Sequence, residues 1–501
     1  MPVIKSKHNE ISDALMTTVA ERSRAGERPA TNPSYNLKFV WLICLVAAMG
    51  GLLFGYDWVV IGGAKPFYEA YFGLSGEGQE WLAGWAISSA LVGCLGGALL
   101  SGMITDKLGR KKILIGAALM FTASAIWTAL TEDFNAFILA RVLGGVGIGL
   151  ASNVSPMYIA EISPAHLRGR FVSINQLTIV VGVLAAQLVN LAIYSSHPIE
   201  TEIATEVIAD SWNGQLGWRW MFAAEAIPAL LFFVLALVIP ESPRWLLKQH
   251  KAKQAHAVLE KIGGKQYADF EVQDIQQTLA LQAQRDDNKL IDIETLRNPK
   301  VLKILGLGMF IAAFQQWCGI NVIFNYAQEI FSAAGYDVSG MMFNIVITGV
   351  VNLVFTFVAI KTVDRWGRRP LMLFGSAGLM ITYAILGACY YFEVKGLVVL
   401  LVVLVAIACY AMTLAPITWV LLSEIFPNRI RGAAMSICVS VLWIACFALT
   451  VTFKPINAAL GAASTFWLYG FICLVGFWVI KVMVPETKGK SLEDIERELV
   501  D

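Results

Sequence analysis

Asp106-Lys107-Leu108-Gly109-Arg110-Lys111 returns in the second half of the chain as Asp364-Arg365-Trp366-Gly367-Arg368-Arg369. Each copy is a short basic gap between two long apolar runs. A second pair repeats in the same order. Glu161-Ile162-Ser163-Pro164, with Arg168-Gly169 behind it, matches Glu424-Ile425-Phe426-Pro427, with Arg431-Gly432 behind it. One membrane unit has been used twice, and duplicated units of this kind tend to hold cargo between the copies. The sequence therefore asks what is carried rather than which bond is broken.

Composition agrees. The 501 residues are 57% hydrophobic and 15% charged, with a mean hydropathy of +0.63. Soluble domains carry about a quarter charged residues and lack repeated apolar stretches of bilayer length. A net charge of +1 offers no basic bulk to a nucleic acid. The eight cysteines lie inside apolar runs without a CxxC pattern. They read as small buried hydrophobes rather than disulfides or metal ligands. Residues 1–36 mix charges, Pro and Ser, and read as a cytoplasmic tail rather than a signal peptide.

Apolar runs fall near 37–64, 82–104, 113–130, 136–159, 171–194 and 219–239, then near 301–331, 341–361, 370–391, 397–422, 432–452 and 462–484. Each can cross roughly 30 Å of hydrocarbon at about 1.5 Å per residue. The expected fold is an all-α membrane protein of twelve transmembrane helices in two pseudo-symmetric six-helix halves, 37–242 and 301–485. Lys107, Arg110, Lys111, Lys112, Arg168, Arg170, Arg365, Arg368, Arg369, Arg429 and Arg431 crowd the connections on one side, whereas the other side holds Lys65, Lys395 and Lys454. The positive-inside rule makes the crowded side, and both termini, cytoplasmic. In the 243–300 linker, Ala255, Val258, Leu259 and Ile262 form one helical stripe, and Val272, Ile275 and Leu279 form another. Short cytoplasmic helices are expected there, with a stop at Gly263-Gly264. Residues 486–501 form the second tail.

Asp57 stands out on physical grounds. An ionisable group in an apolar run costs a few kcal/mol or more, so it is paired or functional. It lies about 30 Å along span 1, and Arg141 lies about 8 Å below the outer end of span 4, so their depths match. A carboxylate beside a guanidinium stays ionised; separated and dehydrated, it takes a proton. The pair reads as a proton switch or as a static ion pair. In span 7, Gln315, Gln316 and Asn321 flank Gly319, which permits a break in the helix. Their amides suit a polar cargo or bonds between helices. Gly144, Gly145, Gly147 and Gly149, with Gly93, Gly96 and Gly97, read as close-packing faces, not as a nucleotide loop.

Further segments carry a family resemblance. They are Gly55-Tyr56-Asp57, Arg141-x-x-Gly144-Gly145-x-Gly147-x-Gly149, Pro240-Glu241-Ser242-Pro243-Arg244, Gln315-Gln316-x-x-Gly319-Ile320-Asn321 and Pro485-Glu486-Thr487-Lys488-Gly489. With the duplicated loops, these resemble the sugar porter family of the major facilitator superfamily over about 37–497, most closely its bacterial xylose–proton symporters. The resemblance implies two halves rocking about a central sugar site. It gives Asp57 the proton and Arg141 control of its affinity. It adds Gln176, Asn352, Trp419 and Trp443 to the span 7 amides as sugar contacts, with Phe54 and Tyr410 completing the lining. It makes Asp106, Arg110, Glu161, Arg168, Glu241, Arg244, Asp364, Arg368, Glu424 and Arg431 a cytoplasmic clasp between the halves in the outward-facing state.

The chain also departs from those symporters. Val183 and Leu442 stand where they carry glutamines, Asn325 replaces a tyrosine, and Ala415 replaces a glycine. Asn325 supplies a new polar group beside the site. The expectation is a proton-coupled importer of a monosaccharide, pentose or hexose with xylose-like cargo favoured, in a bacterial inner membrane. It is expected to act as a monomer among lipids, with no cofactor or metal beyond the proton gradient. An uncoupled facilitator or a non-transporting sensor are the alternatives. An enzyme is disfavoured, because the five histidines lie outside the spans and no nucleophile–base arrangement appears.

Overall fold

The computed structural model describes residues 35–76, 78–199, 205–286, 299–426 and 431–488. Eleven helices among them are long and apolar enough to cross a bilayer. They are Leu37–Tyr71, Glu80–Leu108, Arg110–Leu130, Phe134–Ile162, Arg168–Ser196, Asn213–Val238, Pro299–Asn325, Val338–Val363, Arg368–Tyr391, Leu397–Glu424 and Ala433–Met483. The last is two helices merged, because Gly461 within it has φ 77° and ψ 163°, far from helical values. Spans 1 to 12 follow in that order, with span 11 before Gly461 and span 12 after it. Helices suit this environment because they satisfy every interior backbone polar group within one segment.

Two boundaries differ from the hydropathy reading. Span 1 does not stop at 64 but continues to Tyr71, so Lys65 lies inside the helix rather than in a connection. Lys454 is likewise helical, in span 11. Charged residues ended the apolar run on paper, yet Glu69 stands one turn beyond Lys65, with Nζ 3.8 Å from its carboxylate. A charge that finds a counter-charge within the helix and its neighbours does not have to end the span.

The chain divides into two compact units, one of residues up to Leu42 with Pro243–Arg285, the other of Ile43–Ser242 with Asp286–Asp501. In the small unit the expected linker helices form, at Pro243–Lys248, Ala252–Gly263 and Lys265–Asp286. Gly264, at φ 83°, ends the second of them. Trp245, Leu246, Leu247 and Ala255 are buried together, with Val258, Val272, Ile275 and Leu279 packed on them. The two stripes expected from sequence therefore share one core. The tail expected at 1–36, apart from Tyr35 and Asn36, lies outside the described residues, as does most of 486–501.

In the large unit, spans 2 and 4 pack backbone to backbone. Gly93 and Gly97 sit against Val142 and Val146, while Gly145 and Gly149 sit against Ala90 and Cys94. Gly147 meets span 3 instead, and Gly96 meets nothing within 4 Å. Small residues let helices approach where lipid supplies no hydrophobic drive. At the end opposite the basic loops the two halves are sealed together. Lys65 pairs with Glu329 after span 7, and Lys454 of span 11 reaches Glu69 at 2.9 Å. Gln187 of span 5 donates to Thr348 of span 8 at 3.4 Å.

Lys65 is fully buried, so the seal depends on its counter-charges. Removing one partner of a buried pair costs about 3 kcal/mol or more. Glu329→Gln is therefore expected to open this end, read as faster amide hydrogen exchange over 60–71 and 320–333. Unchanged exchange there would refute the seal.

Candidate functional site

Asp57 and Arg141 meet as a buried ion pair, each 2% exposed. Arg141 Nη2 also donates to the Asp57 carbonyl at 3.3 Å, and the guanidinium lies 5.3 Å from the centre of the Phe222 ring. The pair forms because spans 1 and 4 are antiparallel and the two residues reach the same depth. Gly144 makes room for it: a Cβ there would stand 2.8 Å from Asp57 Oδ2 and 2.6 Å from Ser124 Oγ. That Oδ2 has no hydrogen-bond partner among the described residues.

A second carboxylate escaped the sequence reading. Glu225 of span 6 is 2% exposed, and its charge interacts with both Asp57 and Arg141. It sits between Trp218–Ala223 and Ala226–Val238, at helical backbone angles. Pro228, three residues on, has no N–H to donate to the carbonyl of Ala224, so the helical ladder lacks one bond there. The rule that singled out Asp57, a carboxylate within an apolar run, applies equally to Glu225.

The span 7 amides form a relay. Gln315 Nε2 donates to the Tyr410 hydroxyl at 2.7 Å, and Gln316 Nε2 donates to Gln315 Oε1 at 2.6 Å. Asn321 Nδ2 donates to Gln316 Oε1 and reaches Cys446 Sγ at 3.5 Å. The relay turns a corner at Gly319, whose φ of 86° breaks the helix between Trp317 and Ile320. Three amides thus share one polar line bounded by spans 10 and 11, each carbonyl-to-amide link exchangeable for a link to a hydroxyl.

Around that line, the Phe54 and Trp443 rings stand 6.1 Å apart across the two halves. Asn325 and Asn352 are buried, and the Asn325 Oδ1 has no donor among the described residues. Gln176 and Tyr410 are half-buried. Trp419 is 38% exposed and does not join the Phe54–Trp443 contact.

The basic-end motifs form two matching clusters, each within one half. In the first, Arg110 Nη2 pairs with Glu161 at 2.9 Å and Nη1 with Asp106 at 3.4 Å. Ser242 Oγ donates to Glu161 at 2.5 Å. Glu241 accepts from the Arg110 and Lys111 backbone N–H groups at 3.0 and 3.1 Å, where a carboxylate caps the start of span 3. In the second, Arg368 pairs with Glu424 at 3.1 Å and Thr487 Oγ1 donates to Glu424 at 2.6 Å. Glu486 accepts from Arg368 N and Arg369 N at 3.0 and 3.1 Å. Pro485-Glu486-Thr487 repeats Pro240-Glu241-Ser242 in role as well as in letters. Among the described residues, Arg110 and Arg368 each pair within their own half, and the expected clasp concerns the outward-facing state. Arg168 Nε donates to the Ala160 carbonyl at 3.0 Å. Arg244 belongs to the small unit. Arg429, and the side chains of Asp364 and Arg431, lie outside the described residues.

With this geometry in place, relatives become informative. A family model described as sugar (and other) transporter matches residues 43–499. The chain belongs to that family. It is a transport protein, not an enzyme, with the major facilitator fold. The D-xylose-proton symporter of Escherichia coli (strain K12) is 38% identical over 493 residues, covering 93% of this chain and 96% of that protein. The arabinose-proton symporter of Bacillus subtilis (strain 168) is 37% identical, covering 93% and 96%. The inward open conformation of the E. coli xylose transporter XylE superposes with a TM-score of 0.78 at 37% identity, covering 92% of this chain and all of that one.

Gln316 is the middle of the relay. Gln316→Ala leaves the Gln315 carbonyl without its donor and Asn321 without its acceptor. It is expected to destabilise the protein by about 1–3 kcal/mol, read as a lower melting temperature in detergent. An unchanged melting temperature would show that the relay carries no load.

Proposed function

We propose that this chain imports a monosaccharide by proton symport with alternating access. The observation that carries the reading is the buried Asp57–Arg141 pair, whose Arg141 shares a small cavity with Asn325 of the other half. Glu225 adds a second buried carboxylate to the same half. Asp57 is the carrier, because separation from Arg141 frees its charge inside an apolar wall. Gln315, Gln316, Asn321, Asn325, Asn352 and Gln176 offer donors and acceptors to sugar hydroxyls. Phe54, Tyr410, Trp419 and Trp443 offer flat apolar faces to the ring.

The relatives named for xylose and arabinose favour a pentose. The basic end faces the cytoplasm by the positive-inside rule, with both termini there, in a bacterial inner membrane. The sealed end then faces outward, which makes this an inward-facing state. In the outward-facing state the Arg110–Glu161 and Arg368–Glu424 clusters approach one another and clasp the halves. Partly exposed pairs contribute only about 0–1 kcal/mol each, which suits a clasp that opens every cycle. One chain holds both halves of the site, so the monomer is the working unit.

The test is uptake in proteoliposomes with and without an inward proton gradient. Asp57→Asn is expected to abolish accumulation, so that the internal-to-external sugar ratio falls to about one, while sugar exchange across the membrane continues. Full accumulation by this variant would sink the proton assignment. Absence of gradient dependence in the unaltered protein would favour an uncoupled facilitator.

A further inference from the structure

Span 1 turns one stripe toward the opposite half. Phe54, Trp58, Gly62, Lys65 and Glu69 recur at helical spacing, and the stripe is engaged along its length. Phe54 meets Trp443, Lys65 meets Glu329, and Glu69 meets Lys454. At Gly62 a Cβ would stand 2.5 Å from the Phe324 carbonyl oxygen. Trp58 lies one turn below that close approach, at the inner edge of the seal.

Its surroundings single it out. Its ring centre is 6.3 Å from that of Phe54 and 6.3 Å from that of Trp443 in the other half. From Gly55 to Ala70 every residue of span 1 is buried except Trp58. The same ring stands against Trp443 of the opposite half. Trp443 is 4% exposed, yet its indole Nε1 has no acceptor among the described residues. Trp58 also lines, with Arg141 and Asn325, a small cavity.

We propose that Trp58 is a sugar-contacting residue that sets which ring size and substitution the site accepts. Phe54, Trp58 and Trp443 form a three-sided aromatic seat under the outer seal. The apolar face of a pyranose lies against it, and a ring hydroxyl accepts the free Trp443 N–H. An indole at this point lowers the roof of the site. An indole there stands against the exocyclic hydroxymethyl group that a hexose carries and a pentose lacks. The proposal rests on the monosaccharide reading above.

The experiment is calorimetric binding of D-xylose, L-arabinose, D-glucose and D-galactose to the full-length protein in nanodiscs, for the unaltered chain, Trp58→Ala and Trp58→Phe. Trp58→Ala is expected to weaken the pentoses about ten-fold, the order of one lost aromatic contact. The hexoses should be weakened less, so that the pentose-to-hexose affinity ratio falls about five-fold or more. Trp58→Phe keeps a ring and the fold, and should shift the ratio in the same direction by a smaller factor. A purely structural Trp58 would weaken all four sugars equally, and an unchanged ratio in both variants overturns the assignment while leaving transport intact. Binding of none of the four by the unaltered protein overturns the sugar reading and this proposal together.

Discussion

A charge inside a bilayer must meet an opposite charge or be cancelled by a proton, and the interior of this bundle is arranged around that constraint. Asp57 and Arg141 satisfy each other at 2% exposure, with Glu225 close enough to feel both. Lys65, Glu69, Glu329 and Lys454 form a balanced set of two positive and two negative groups where the halves close. The second set bridges the halves and would not be stable if they moved without exchanging partners or protons. Motion and charge are thereby linked by ordinary electrostatics, without any special device.

The three charged layers differ in depth, and depth sets their strength. The central pair is buried, and the seal is buried at Lys65 and Glu69 but 23% exposed at Glu329. The basic-end clusters are partly solvated: the Asp106 side chain is 56% exposed and that of Glu424 21%. Exposed pairs are weak and exchange partners readily, whereas buried ones hold a state until something replaces the lost partner. Between the buried layers lies the neutral polar line of Gln315, Gln316 and Asn321, and the aromatic contact of Phe54 with Trp443. Neutral amides can trade partners with hydroxyls at little cost, which is the chemistry a reversible sugar site needs.

Much of this was legible in the sequence. The repeat gave two halves, hydropathy gave twelve spans, and the linker stripes gave a small helical core that the structure contains. Asp57 and Arg141 could be matched because depth follows from counting residues along antiparallel helices. What escaped followed from treating charge as punctuation. Lys65 and Lys454 were placed in connections because a lysine ends an apolar run, and Glu225 passed unnoticed within one. Pairing across distant segments is invisible to a window that slides along the chain. The partners Lys65 and Glu329, or Glu69 and Lys454, are brought together only by packing.

Sequence by itself determined the elements, their number, and the residue types that make the interior reactive. Helical period and hydrocarbon thickness are local constraints that twenty or so consecutive residues can express. Tertiary structure alone decided which arginine answers which carboxylate. It placed Arg110 and Arg368 in clusters within their own halves, closed one end of the bundle, and turned the Trp58 ring toward Trp443. Those outcomes depend on distances between segments remote in the chain, and a state that alternates cannot be written into one linear pattern.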